Sequence, residues 1–391
     1  MTDKPDLIYL DYAATTPVDP RVVAAMSRLL EMDGDFANPS ADHLAGRRSS
    51  VHVANAAEQL AALLHVHPDR LIWTSGATES NNLAIIGAAR ARQHRGQHLI
   101  TMPTEHKAVT DVFRALERQG FDVTWLLPDE CGALDIDALE AAFRDDTQLV
   151  SIMHVNNETG LLQDIARIGE SCRRRDVLLH VDAAQSVGKL PVDLGQLPVD
   201  LASMTAHKMY GPKGIGGLYI ADRPGCHIEP LMFGGGQQRR LRPGTLAVHL
   251  IAGFGCAAEI AATSLAEDLE HLTTLRDQLW AGIRDVPGIR LNGDIDNSFP
   301  GILNASIADI EGESLLLALE PLCVATGSAC NSQSQEPSYV LRALGRSDAE
   351  AQSAIRFSLG RQTRSEDIVV AVRRYRSAVS KLRDLAPVLA A

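Results

Sequence analysis

Leu71-Ile72-Trp73-Thr74-Ser75-Gly76-Ala77-Thr78-Glu79-Ser80 decides the fold: a short run of β-branched, aromatic and aliphatic residues breaks into a polar, glycine-containing turn. A strand that ends in such a turn and is followed by helical periodicity is one half of a βαβ unit. Outward from it the pattern recurs, with strand-like runs at 98–102, 123–127, 149–154, 177–182, 201–204 and 217–220. Helical stretches separate most of these seven runs, which predicts an α/β layered fold with a mostly parallel sheet. The short gap between the last two leaves room for one antiparallel pair.

Beyond Gly234-Gly235-Gly236 the pattern changes. A helical stretch over about 246–284 leads into shorter strands at 302–307 and 354–359, flanked by helical patterns at 313–319 and 365–385. These predict a second, smaller α+β domain. The expected division is residues 15–260 for the large domain and 1–14 with 261–391 for the small one. A chain of 391 residues is long enough for two domains and for a large core without staples.

A net charge of −12 argues against a nucleic-acid surface or an anionic-membrane footprint, because phosphate contacts need an excess of Lys and Arg. The N-terminus has no apolar signal region and no run is as long as a membrane span, so the expectation is a soluble, cytoplasmic protein without a nucleic-acid or membrane partner. Six cysteines lie far apart with no CxxC pair, which speaks against a structural zinc site or a disulfide framework.

In open α/β sheets ligands bind beyond the carboxyl ends of the strands, so polar residues just after strands carry the functional reading. Ser75-Gly76-Ala77-Thr78 offers backbone N–H groups and a hydroxyl to an anion such as phosphate, and reads equally as a plain N-cap. Asp182 ends a strand where a carboxylate could face a cationic ring nitrogen; the competing reading is an N-cap. Of six lysines, Lys4 and Lys381 lie near the termini, Lys189 sits on a connection and Lys213 in a glycine-rich turn. Lys107 and Lys208 are left, each directly after a histidine at a strand end, where desolvation could prepare an amine for Schiff-base chemistry. A phosphate cradle, a carboxylate and a lysine at successive strand ends form the set pyridoxal phosphate requires, which favours Lys208.

Cys172, Cys256 and Cys323 read as packing residues, and Cys131 and Cys226 lie in turn-like segments. Cys330 differs, within the small, polar stretch Thr326-Gly327-Ser328-Ala329-Cys330-Asn331-Ser332-Gln333-Ser334-Gln335. A thiol there is expected to be exposed and able to reach a site and leave again, as a nucleophile would.

Taken together, the motifs resemble those of the cysteine desulfurases, in the class V group of fold-type I pyridoxal-phosphate-dependent transferases, and most nearly the IscS/NifS branch. The stretches that carry the resemblance run from Leu10-Asp11-Tyr12-Ala13-Ala14-Thr15-Thr16-Pro17 to Arg383-Asp384-Leu385. Between them lie Thr104-Glu105-His106-Lys107-Ala108-Val109, His154-Val155-Asn156-Asn157-Glu158-Thr159-Gly160, Val181-Asp182-Ala183-Ala184-Gln185-Ser186, His207-Lys208-Met209-Tyr210-Gly211-Pro212-Lys213-Gly214, Gly327-Ser328-Ala329-Cys330 and Ile355-Arg356-Phe357-Ser358-Leu359-Gly360. So many collinear motifs are far more specific than any single one.

The resemblance implies pyridoxal 5′-phosphate as cofactor, with Lys208 as its Schiff-base lysine and proton carrier. Asp182 would pair with the pyridinium nitrogen and Gln185 would donate to the phenolic oxygen, with Asn157 nearby on the cofactor and substrate side. His106 would stack on the ring, Ala77, Thr78, Thr205 and His207 would bind the phosphate, and Arg356 would hold the substrate carboxylate. Thr245 would reach the phosphate of a neighbouring subunit, which implies a homodimer. Cys330, on a mobile loop over about 325–337, would take sulfur from L-cysteine as a persulfide, releasing L-alanine, and pass it to an iron–sulfur scaffold or thiolation protein. The same thiol is the candidate for a transient iron–sulfur ligand.

Departures from the family pattern are Thr205 for a common serine, Arg240 for a usual glycine, Pro243 for a usual serine, and a C-terminus shorter than the scaffold-docking tail of housekeeping relatives. Competing readings are a selenocysteine lyase, another class V enzyme such as an aminotransferase, and a non-catalytic sulfur-relay subunit. An aminotransferase would leave the Cys330 stretch unexplained, and a relay subunit predicts losses at Lys208, His106 or Cys330 that are not seen.

Overall fold

The computed structural model describes residues 7–326 and 336–385. Its strands are β1 (Ile8–Tyr9), β2 (Leu71–Thr74), β3 (His98–Thr101), β4 (Asp122–Trp125), β5 (Thr147–Met153), β6 (Leu178–Asp182), β7 (Leu201–Thr205), β8 (Gly216–Ile220), β9 (Ile289–Leu291), β10 (Ile302–Ile307), β11 (Leu322–Cys323), β12 (Ala325–Thr326) and β13 (Ile355–Ser358).

Seven of them form the main sheet, in the order β2-β8-β7-β6-β5-β3-β4. β3, β4, β5, β6 and β7 pair in parallel, while β8 is antiparallel to both its neighbours, β7 and β2. The mostly parallel seven-stranded sheet and the antiparallel pair after β7 are therefore as the sequence predicts. Every residue of β2, β3, β5, β6, β7 and β8 is buried, which is the mark of a sheet covered on both faces. Period two divides them between two cores. Leu99, Leu149, Leu178 and Leu201 pack with the helices Ala77–Ala91 and Lys107–Arg118. Their successors Ile100, Val150, Leu179 and Ala202 pack with the helices Leu44–Leu64 and Val248–Ile283. Buried inside the sheet, His180 meets Ser151 Oγ at 2.7 Å and Ser203 Oγ at 2.9 Å.

A four-stranded antiparallel sheet, β12-β13-β10-β9, organises a third core with the helix Ser365–Leu385. β1 and β11 make a separate parallel pair. We propose the domain division at 14/15 and 260/261 on this partition of cores, with Leu10 and Ala13 belonging to the small-domain core. The helix Val248–Ile283 crosses that boundary. Ile251 to Ala261 face the first core and Leu272 to Ile283 the second. Its length and apolar composition would suit a membrane span, but half of that apolar window is buried against these cores.

Parallel winding brings the ends of β2, β3, β5, β6 and β7 to one edge, and the start of antiparallel β8 joins them there. Gly216 opens β8 opposite both Thr74 and Thr205. A Cβ on it would stand 2.6 Å from the Gly76 backbone and 2.7 Å from the Met204 carbonyl. Backbone on both sides cannot give way, so Gly216→Ala is expected to cost about 1–3 kcal/mol by overpacking, read as a lowered thermal unfolding midpoint.

Candidate active site

The strand ends enclose a cavity of about 640 Å³. Its wall brings together Ala77, Thr78, His106, Asn157, Asp182, Gln185, Thr205, His207, Lys208 and Arg356, ten residues singled out from the sequence. Cys330 lies outside the described residues. Thr245 is exposed and lines a different groove, with Leu30, Met32 and Phe36.

At one end of the cavity the helix Ala77–Ala91 begins. Its N-cap is Gly76, which has no side chain to offer the first N–H groups, so the helix presents its positive end to whatever enters. His207, Thr205, Thr78 and Lys213 line the same cavity. Burial and the nearby Lys208 and Lys213 hold the His207 imidazole down at about 4, so it stays neutral, with Nδ1 at 3.1 Å from Thr15 Oγ1.

The Asp182 carboxyl closes the end of β6. Asn81 Nδ2 donates to its Oδ2 at 2.7 Å, and the Ala184 N–H donates to its Oδ1 at 3.0 Å. Asn81 is fully buried one residue beyond the Leu71–Ser80 stretch, and the sequence reading assigned it no role. His106 caps the helix Lys107–Arg118 by accepting from the Ala108 N–H at 3.1 Å. Burial, then Lys208, lower its proton affinity.

Arg356 reaches the cavity from β13 in the other domain. It donates to the Asn157 carbonyl at 2.8 Å and pairs with Asp11 at 2.7 Å. Its Nε and the Asn157 side-chain oxygen are both buried with no hydrogen-bond partner among the described residues, which marks a place for a polar ligand.

Two buried carboxyls stand directly beside site residues, and neither was found in the sequence. Glu105, next to His106, accepts from the Met153 N–H at 2.9 Å, and burial pushes its carboxyl well above the ordinary range. Glu158, next to Asn157, accepts from Ser338 Oγ at 2.5 Å, and burial raises it from 4.5 to about 7. Tyr339 donates to the Glu105 carbonyl at 2.9 Å, so Ser338 and Tyr339 together tie their segment to both site loops.

The segment before Thr245 runs over Gln238, Arg239 and Arg240 in left-handed backbone, at φ of 49°, 59° and 63°. A left-handed φ at position 240 is one that glycine adopts without steric cost. Arginine there carries about 1 kcal/mol of strain. The segment is held by Gln238, which bonds both main-chain groups of Trp73, and by the Arg242–Glu79 pair at 2.8 Å.

Comparison with known proteins places the chain in a family. The model of the class-V aminotransferase family matches residues 8–370. A cysteine desulfurase IscS from Enterobacter sp. (strain 638) is 55% identical over 381 residues, 97% of this chain and 94% of that protein. The solved structure of a NifS-like protein superposes with a TM-score of 0.90 at 36% identity, covering 96% of this chain and 100% of that one. The structure of SspA in complex with cysteine superposes with a TM-score of 0.80 at 37% identity, covering 90% and 99%.

Glu158 yields a stability test. With a folded value of about 7 against an ordinary 4.5, the folded state keeps a proton that the unfolded chain releases. The stability this proton confers is fully present below about 4.5 and is lost as pH rises through about 7. Glu158→Gln, which cannot ionise, is therefore expected to gain on the parent by up to about 3 kcal/mol between pH 5 and pH 8, measured by denaturant unfolding at each pH.

Proposed function

The chain belongs to the class-V aminotransferase family and is a cysteine desulfurase within it, and on that premise we propose how its own residues take sulfur from L-cysteine. The family is pyridoxal-phosphate-dependent, and the donor set here suits that cofactor: an uncapped helix end for a phosphate, a carboxyl for a ring nitrogen and a lysine amine in one cavity. The cavity is the observation that carries the reading. When bound, pyridoxal phosphate supplies an electron sink for the carbon bearing the substrate amino group.

Lys208 would hold the cofactor's aldehyde carbon and, once displaced by the substrate amine, move the proton at the substrate Cα. Asp182, oriented by Asn81, would face the ring nitrogen, and Gln185 the phenolic oxygen. Ala77, Thr78, Thr205 and His207 would hold the phosphate. His106, neutral at physiological pH, would lie against the ring and accept or return a proton. Arg356 would grip the substrate carboxylate, with Asn157 beside it, and its partnerless buried Nε supports that role. In the group-transfer step the Cys330 thiolate attacks the substrate sulfur. An S–S bond forms, the Cβ–S bond breaks, and its electron pair stays on Cβ, which takes a proton to become the methyl group of alanine. L-Cysteine and the Cys330 thiol thus become L-alanine and a Cys330 persulfide.

The persulfide would pass to an acceptor protein, an iron–sulfur scaffold or a thiolation protein, with Cys330 as a transient iron ligand in the first case. The structure of SspA with cysteine, from a protein similar over most of this chain, supports cysteine as the substrate. Free described cysteines and a thiol reagent suit the reducing cytoplasm. We propose a homodimer with shared sites: Thr245 lies away from its own cavity in an apolar groove of about 480 Å³, beside Met32, which is 97% exposed. A second copy would cover that surface and receive Thr245 at its phosphate.

Two measurements test these assignments. Loaded with cofactor, the protein is expected to release alanine from L-cysteine, and Cys330→Ala to lower the rate about 100-fold or more; equal rates would remove Cys330 from the mechanism. Light scattering after gel filtration is expected to give twice the chain mass for the parent, and a monomer that loses cofactor faster for Phe36→Asp.

A further inference from the structure

Lys189 lies on the connection after β6, where sequence reasoning gave it no task. Gly188 takes a left-handed φ of 74° and turns the chain tightly against Met209, and the Lys189 N–H donates to the Ser186 carbonyl at 3.0 Å. The reversal aims the lysine side chain back at Gln185, four residues earlier. Nζ donates to Gln185 Oε1 at 2.8 Å and lies 5.6 Å above the centre of the Phe299 ring. Although the residue keeps part of its surface open, its amine end is enclosed, and burial together with Lys208 and Arg356 lowers its proton affinity well below the ordinary range. An amine enclosed beside two cationic side chains is unfavourable for folding and calls for a compensating use.

Gln185 is the residue that gains. Its Nε2 donates to the Ala13 carbonyl at 2.8 Å, while Oε1 receives Lys189. A carbonyl at one edge of the amide and an amine at the other admit only one orientation of the group. With one Nε2 hydrogen given to Ala13, the second is left for the cavity, which Gln185 lines and Lys189 does not. Donation into the amide carbonyl also polarises the opposite N–H and strengthens it as a donor.

We propose that Lys189 is a positioning residue for the desulfurase reaction, locking and polarising the Gln185 carboxamide so that it donates to the phenolic oxygen of pyridoxal phosphate. The inference rests on the cofactor contact proposed above for Gln185. It acts through that amide alone, without touching substrate or cofactor.

A double-mutant cycle on the cofactor-loaded protein separates the two assignments, read from the cofactor absorption band and from cofactor release on dilution. Lys189→Met keeps the length of the side chain and removes the donor. It is expected to shift the band and speed release about 3- to 10-fold, the worth of one hydrogen bond. In a Gln185→Ala background the same change is expected to add less than about twofold, because its route of action is gone. A full Lys189→Met effect in that background would overturn the proposal by showing a direct action on Lys208. No effect of Lys189→Met beside a marked effect of Gln185→Ala would overturn it while leaving the Gln185 contact standing. An unchanged band and release rate in Gln185→Ala would overturn both. Circular dichroism of the apo-protein checks folding, and if Lys189→Met does not fold, Lys189→Gln carries the same cycle.

Discussion

A carboxyl group at the end of a fully buried strand has to be hydrogen-bonded, and the way Asp182 meets that requirement sets the geometry around it. One oxygen takes the Ala184 N–H from its own turn, and the other takes Asn81 from the helix Ala77–Ala91. The helix that presents its N-terminus to the cavity is thereby locked in register with the strand that presents the carboxyl. Thr74, at the end of β2, adds a second tie, with its hydroxyl 2.7 Å from Ser80 Oγ one turn into that helix. Displacing the helix would leave Asp182 Oδ2 buried without Asn81, a cost of about 1–3 kcal/mol. The helix N-terminus and the carboxyl are therefore held at one spacing by the hydrogen bonds of Asp182 and Thr74.

Arg356 does the corresponding work between the two domains. It leaves β13 of the small sheet, spans to the Asn157 carbonyl at the end of β5, and meets Asp11 of the N-terminal segment. Two of its three guanidinium nitrogens serve the scaffold, and the third is buried with no hydrogen-bond partner among the described residues. A side chain tied both to the end of β5 and to the N-terminal segment couples the cavity wall to the position of the small sheet. Ser338 and Tyr339 follow the same plan from the segment downstream of position 330, since each bonds a residue adjacent to a site residue, Glu158 or Glu105.

The sequence made the main sheet legible because each of its strands is a short apolar run ending in a polar turn, and the strand ends made most of the cavity wall legible with it. β1, β9, β11 and β12 went unread, since two or three residues carry no periodicity. Glu105 and Glu158 lie inside recognisable motifs and Asn81 just beyond one, but nothing in a linear pattern distinguishes the residue facing the cavity from its neighbour buried behind it. Lys189 was missed for another reason. Its fold-back depends on a left-handed Gly188 after a turn that follows a strand, and a lysine before Leu-Pro reads as solvated surface unless that reversal is known.

Burial divides the ionisable groups near the cavity into two kinds. Glu105, Glu158, His154, His207 and Lys189 are all pushed toward their neutral forms, each with burial as the largest cause. Around a site proposed to hold a phosphate and a carboxylate, neighbours pushed toward neutrality serve better than extra charges. A charged Glu105 or Glu158 would repel both anions, and a charged Lys189 would compete with Lys208 and Arg356 for them. Low dielectric strengthens whatever charge is left, so the fewer the charged groups, the more each one governs where the ligand sits. On the proposed assignments, the groups pushed toward neutrality act through hydrogen bonds, where the residues facing the ligand act through charge.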